Sequence, residues 1–338
     1  MVNIMNKGIG VAGNIILDKM YMIEGYPKIS ELSTITDIES YSIGGVVCNN
    51  LIDIHKLDNN IPLYAFGMIG KDEEGSYILQ QLKKYNINIE NIIQKGKTST
   101  SYVMNDTITN QRTFFHYRGA NSLFDETHIN LNDLNLNIFH IGYILLLDKF
   151  DELDDQYGTK LAKILYKIQQ KGILTSVDVV SEASDRYAKI VSPALKYTNY
   201  CIINEIEAQG ISGIKLFDNH KLYKENFPKA LQILAKMGVN TWIVIHTTQF
   251  SIGYDCVLKK YVEIPSLKLP NNYIKGSTGA GDAYCSGILL GAYKKYSLKK
   301  SMQIATATAA MSLSYLSATD GIKNLSETWK FYNEQIYK

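Results

Sequence analysis

Lys275-Gly276-Ser277-Thr278-Gly279-Ala280-Gly281-Asp282-Ala283-Tyr284 gathers small residues and ends them on one carboxylate. Ala283 to Tyr293 then has the pattern of a helix, with Gly287 and Gly291 free for close packing. Gly279, Ala280 and Gly281 fall at its N-terminus, where unpaired backbone N–H groups and the helix dipole favour an anion. Small side chains let a phosphate reach the backbone. Asp282 would repel that phosphate, so its presence asks for a reason. The chemical one is proton abstraction from a hydroxyl that attacks a terminal phosphate. The plainer one is a glycine-rich loop with Asp282 as an N-cap.

Other candidates carry less. Asn204 and Glu207 follow the apolar strand Cys201 to Ile203. Three residues apart, they share one side of a first helical turn and suit either hydrated Mg²⁺ or simple capping. Gly8-Ile9-Gly10-Val11-Ala12-Gly13 matches GxGxxG, but a strand-like run follows where a dinucleotide site needs a helix. There is no GxxxxGK[ST], no GxSxG and no HExxH. The histidines His55, His116, His128, His140, His220 and His246 lack helical metal spacing and read as structural. Asp151-Glu152-Leu153-Asp154-Asp155 reads as a solvated turn before a helix.

The elements that must position these residues alternate. Gly44-Gly45 opens a helix through Leu57, Pro62–Ile69 is a strand and Asp72–Asn86 a helix. Strands at Ile138–Leu146, Leu174–Val180, Tyr200–Ile203 and Trp242–His246 alternate with helices at Thr159–Lys171, Ser184–Lys196 and Phe227–Met237. Helices from Ala283 and Leu298 close the chain. This rhythm predicts an α/β fold with a mostly parallel sheet covered on both faces. Two β-rich pieces, about 18–43 and 99–118, break it; the second is a hairpin with Asn105-Asp106 and Thr109-Asn110 at its turn. They predict a separate small sheet acting as a lid over the site.

The chain has 338 residues, 46% hydrophobic and 20% charged, the make-up of a globular protein built as one large domain or two unequal parts. A net charge of +2 gives no basic face for nucleic acid or anionic lipid. The longest apolar run, Ile138 to Leu147, is too short to span a bilayer, and no leader pattern opens the chain. Four scattered cysteines without a CxxC fit reduced thiols and a cytoplasmic location.

Taken in order, the motifs resemble those of the ribokinase-like (PfkB-type) carbohydrate kinases over about residues 8–325. Gly13 to Asp18 looks like the family's first strand ending in a sugar-binding Asp. Gly44-Gly45-Val46-Val47-Cys48-Asn49 looks like GGxxxN, and Gly70 to Gly75 matches GxDxxG. Asn204 to Glu207 matches NxxE, and Gly279 to Asp282 matches GAGD.

The resemblance implies one kinase domain over 1–338 that moves the γ-phosphate of ATP to an alcohol of a sugar-like substrate. It implies Asp282 as base and the N–H groups of Gly279, Ala280 and Gly281 as holders of phosphoryl charge. Asn204 and Glu207 would hold hydrated Mg²⁺. Asp18, Gly44, Gly45 and Asn49 would meet the sugar, with Tyr117 and Arg118 at the lid exit; a surface charge at a strand end is the alternative for Arg118. His246, Thr248, Thr278 and Thr306 would border the nucleotide, and the lid sheet would pair two chains. Gly276-Ser277 stands where the family has Asp-Thr, which puts monovalent-cation activation in doubt. His246-Thr247-Thr248 and Ser251 depart in the nucleotide loops, and Asp178-Val179-Val180 departs from Asp-x-Asn. A nucleoside kinase, or a sugar-binding regulator with weak turnover, stays open beside the sugar kinase.

Overall fold

The structure, a computed structural model, describes residues 7–109, 111–132, 134–182, 185–219 and 221–336. Gly8–Ala12 (β1) leads through a short loop into Ile16–Ile23 (β2) and Ile35–Gly44 (β3). Gly45–Leu57 (α1), Leu63–Ile69 (β4), Glu73–Lys84 (α2) and Asn88–Gln94 (β5) follow. Thr100–Asp106 (β6) and Arg112–Tyr117 (β7) form the expected hairpin, whose Asn110 lies outside the described residues. Next come Leu136–Ile144 (β8), the two-residue pair Leu153–Asp154 (β9) and Gly158–Thr159 (β10), Lys160–Gln169 (α3) and Leu174–Val179 (β11). Tyr187–Leu195 (α4), Tyr200–Asn204 (β12), Glu205–Ser212 (α5), Phe217–Asp218 (β13), Lys221–Leu222 (β14) and Phe227–Met237 (α6) continue the alternation. Trp242–His246 (β15), Phe250–Asp255 (β16), Lys260–Pro265 (β17), Ala280–Tyr293 (α7), Leu298–Ser312 (α8) and Leu325–Ile336 (α9) complete it.

The main sheet has nine strands in the order β17-β16-β15-β12-β11-β8-β1-β4-β5. Only β16 is reversed: it is antiparallel to β15 and to β17, and every other pairing in the sheet is parallel. Near-continuous apolar runs such as Trp242–Ile245 fit strands buried on both faces. One core lies under α1, α2, α7, α8 and α9, and a second under α3 to α6. Gly287 and Gly291 do bring α7 against α8: a Cβ on them would stand 2.4 Å from Ala305 Cα and 2.2 Å from Ser301 Oγ. Chain order reverses at β1, between β8 and β4, and ligands of open α/β sheets bind at such a point, outside the C-terminal strand ends.

A second sheet, β3-β2-β6-β7, holds the two β-rich pieces. GxGxxG is spent within β1 and the turn after it, and the strand β2 follows where a dinucleotide site would need a helix. Two expectations need correction. A third helix, α9, closes the chain after the two foreseen. Asp151 is not a solvated turn residue: it is 7% exposed and accepts from Leu145 N, while Glu152 and Asp154 pair with Lys149, Lys160 and Lys163. The foreseen helix start at Ser184 and the histidine His220 lie outside the described residues.

Candidate active site

α7 begins at Ala280, three residues before the expected start, so Asp282 sits inside its first turn. Gly279 precedes it at φ +79, a left-handed backbone that favours glycine. The Ala280 N–H is taken by the Ser277 carbonyl at 3.3 Å, which corrects its expected place among the anion donors. The N–H groups of Gly281 and Asp282 have no protein acceptor among the described residues, and no side chain caps the helix. Unpaired N–H groups at a helix start favour an anion.

Asp282 is 5% exposed. Burial, then the nearby Asp178, push its carboxyl up to about 6, against hydrogen bonds that pull it down. Those bonds come from Asn49 Nδ2 at 2.7 Å and the Tyr143 hydroxyl at 2.9 Å, both to Oδ2. Asn50, next on α1, donates to the Asp282 carbonyl and to Ser286 Oγ, each at 2.8 Å. The second turn of α1 is thereby fastened to the start of α7. Asn49 Oδ1 is buried without a hydrogen-bond partner among the described residues.

Asp18, on β2, is pushed up to about 6 by burial, partly offset by the Ser101 hydroxyl. Gly44 is needed for it: a Cβ there would stand 2.6 Å from Asp18 Oδ2. Gly45 has φ +78, and its Cβ would strike the Asn14 carbonyl at 2.4 Å. The close approach it permits is of the chain to itself, not only of a sugar. Tyr117 and Arg118 end β7 exposed, and Arg118 pairs with Asp148, so neither is held in the pocket. Asp72 of GxDxxG caps α2 through Gly75 N at 2.9 Å and binds Thr98 N at 2.7 Å, which makes that motif a clamp.

Beside these N–H groups lies a cleft of about 620 Å³ lined by His246, Thr248, Thr306, Tyr284 and Gly281 among others. Its size and largely apolar wall suit a nucleotide base. Thr306 donates to Met302 O at 2.8 Å, within its own helix. His246 packs on Tyr284, and burial lowers it to about 4, so it is neutral and brings no positive charge. Thr278 is exposed and stays off this wall; Ser277 takes the place expected of it. A larger groove of about 860 Å³, between the ends of α1, α2 and α9, contains none of the motif residues.

Asn204 and Glu207 bind each other first. Asn204 Oδ1 accepts from Ile206 N and Glu207 N, at 2.9 and 3.0 Å. Glu207 Oε1 accepts from Asn204 Nδ2 and Ser181 Oγ, and Oε2 from Asn204 N. This capping box leaves Glu207 one free lone pair, which fits a hold through water and not direct coordination. Burial pushes Glu207 up to about 8. Glu207, Asn204, Asp178 and Asp282 share a small cavity of about 190 Å³.

Tyr143 and Asp178 were missed as site residues. Asp178 Oδ1 accepts Tyr143 N at 2.6 Å, and His140 lies 3.6 Å from its Oδ2 and 3.8 Å from Cys285 Sγ. These groups come from three separate elements; the family-like Asp of Asp178-Val179-Val180 was a hint to Asp178, and Tyr143 had only its place near a strand end.

The family model for pfkB family carbohydrate kinases matches residues 15–325. The bifunctional protein HldE of Helicobacter pylori is 25% identical over 81% of this chain and 55% of its own length, so the chain spans about half of that relative. The ribokinase of Arabidopsis thaliana, solved with ribose and ATP, superposes with TM-score 0.79 at 18% identity, over 97% of this chain and 99% of that one. The nucleoside kinase of Methanocaldococcus jannaschii gives 0.74 at 21% identity, over 97% and 98%. With a match over most of its length and a ribokinase-like fold, the chain belongs to the pfkB family of carbohydrate kinases, phosphotransferases with an alcohol as acceptor.

Proposed function

We propose that this chain transfers the γ-phosphate of ATP to a hydroxyl of a sugar or sugar-like molecule, with Asp282 as general base. One observation carries the reading: a buried carboxylate in the first turn of α7, beside the unpaired N–H groups of Gly281 and Asp282. A group near 6 is ionised at neutral pH yet still basic enough to take a proton as the alcohol attacks. The two N–H groups stabilise charge on the transferring phosphoryl group. ATP lies along the cleft by His246, Thr248 and Thr306, its γ-phosphate at Gly281. Asn204 and Glu207 hold hydrated Mg²⁺, which neutralises phosphate charge when bound. Asp18 and Asn49 Oδ1 receive hydroxyls of the acceptor. The small sheet closes over it and excludes water, the competing acceptor.

A nucleoside acceptor is the second reading, favoured by Phe114, exposed on the same face of the small sheet as Asp18, where a base can stack. The test is ADP release from Mg-ATP, with and without K⁺, across ribose, fructose, 2-keto-3-deoxygluconate, myo-inositol and nucleosides. Sugar-dependent release that vanishes in Asp282→Asn supports the proposal. Release with nucleosides alone replaces the acceptor, and tight sugar binding without any turnover replaces the kinase with a sensor.

A further inference from the structure

Tyr143, next to last in β8, has φ +61, a left-handed backbone rarely adopted by a bulky side chain. Leu145, two residues on, has φ +81. Strain of this kind persists only where the surroundings enforce it. Here Asp178 Oδ1 takes the Tyr143 N–H at 2.6 Å, and the Tyr143 carbonyl takes Leu146 N at 3.0 Å. The result aims the phenol into the site, among Asp18, Asp178 and Asp282. Its hydroxyl donates to Asp282 Oδ2 at 2.9 Å, the oxygen that Asn49 also holds. No protein donor reaches Oδ1 among the described residues.

We propose that Tyr143 is a positioning residue: with Asn49 it pins Oδ2 of Asp282 and turns Oδ1 towards the acceptor hydroxyl. The inference rests on Asp282 being the base. One donor would leave the carboxylate free to rotate; two, from α1 and from β8, fix its plane. A donor to the carboxylate also favours the anion over the acid, so the base is ready at lower pH. The other titratable groups facing Asp282 are His140 from β8, Asp178 from β11, Asp53 from α1 and Cys285 from α7 itself. Tyr143→Phe alters none of them and keeps the ring.

The test is a carboxyl-carbon NMR titration of protein labelled at its aspartates, with Asp282→Asn identifying the Asp282 signal. Tyr143→Phe should raise the Asp282 midpoint by about one pH unit, the scale of a hydrogen bond to a charged group. The acid limb of kcat/KM should move with it, and kcat should fall about tenfold while the KM for ATP holds. In the unsubstituted protein, one tyrosine Cζ resonance should inflect with the Asp282 midpoint, so the test survives a variant that does not fold. An unmoved midpoint, or no such inflection, overturns the pinning and leaves the base in place. Full turnover in Asp282→Asn instead removes the base reading itself.

Discussion

Asp282→Asn keeps the side chain's size and removes its charge. Burial raises the carboxyl from 3.8 to about 6. Holding the ionised form in the fold therefore costs about 3 kcal/mol once the pH exceeds the folded value. The sign follows from proton counts. Between 3.8 and about 6 the folded chain binds more protons than the unfolded one, so this group lowers stability as pH rises. The cost is complete above that window and absent below it. An amide oxygen at the same place still accepts from Asn49 and Tyr143, so those bonds do not oppose the gain. At an unfolding entropy of about 2.1 cal/mol/K per residue, 3 kcal/mol in a chain of this length is a rise in Tm of about 4 °C. Calorimetry should show that rise near pH 8 and none near pH 4, while ADP release falls by about 10²–10⁴-fold. A Tm that drops near pH 8, or a gain equal at both pH values, would refute the account of a charge held at a cost for function.

A Cβ at Gly279 would stand 2.4 Å from Ala318 Cβ, on a backbone at φ +79. Gly279→Ala should displace the start of α7 and lower kcat by roughly 10²–10³, the loss typical of one missing anion donor, with the KM of the acceptor unchanged in steady-state assays. Glu207→Ala should raise the half-saturating Mg²⁺ concentration about 10–100-fold in a metal titration. It also removes a capping contact, at a cost of about 1 kcal/mol by denaturant unfolding. The small sheet exposes Tyr41, Phe114, Phe115 and Tyr117. If two chains pair through it, light scattering gives twice the chain mass and Phe115→Lys returns it to one; a single-chain mass for the unsubstituted protein defeats the pairing.

The main sheet was legible because its strands and helices alternate with distinct periods. The interval of α1 and the strands flanking the site emerged within a few residues. What escaped had mixed signals. β5 (Asn88–Gln94) is half-buried and polar at a sheet edge, and the hairpin of β16 and β17 covers only the end of the sheet. α9 packs on α8 through an amphipathic face behind a long loop. Within the site, spacing located Asp282, Asn204 and Glu207, because each sits in the first turn of a helix or caps it. It could not reveal that Asn49 would bind Asp282, 233 residues away in sequence. Nor could it foresee that a phenol from β8 would do the same. Such pairings depend on which strand lies beside which, and that order is a property of the whole sheet.

The chain crosses between its two sheets near Ile15, and again near Asn121. At those crossings the Asn121 side chain completes a local pairing, accepting from Ile15 N and donating to Ile15 O, both at 3.1 Å. The two crossings are thus tied into a single joint. Beyond the joint lies the small sheet, reached also by the passages from Gly44 into α1 and from Gln94 to Thr100. Its surface can then be rewritten to greet a different acceptor while the joint and the phosphate machinery behind it keep their alignment. Novelty in what is phosphorylated can accumulate on one side of Asn121, leaving intact on the other how phosphorylation is done.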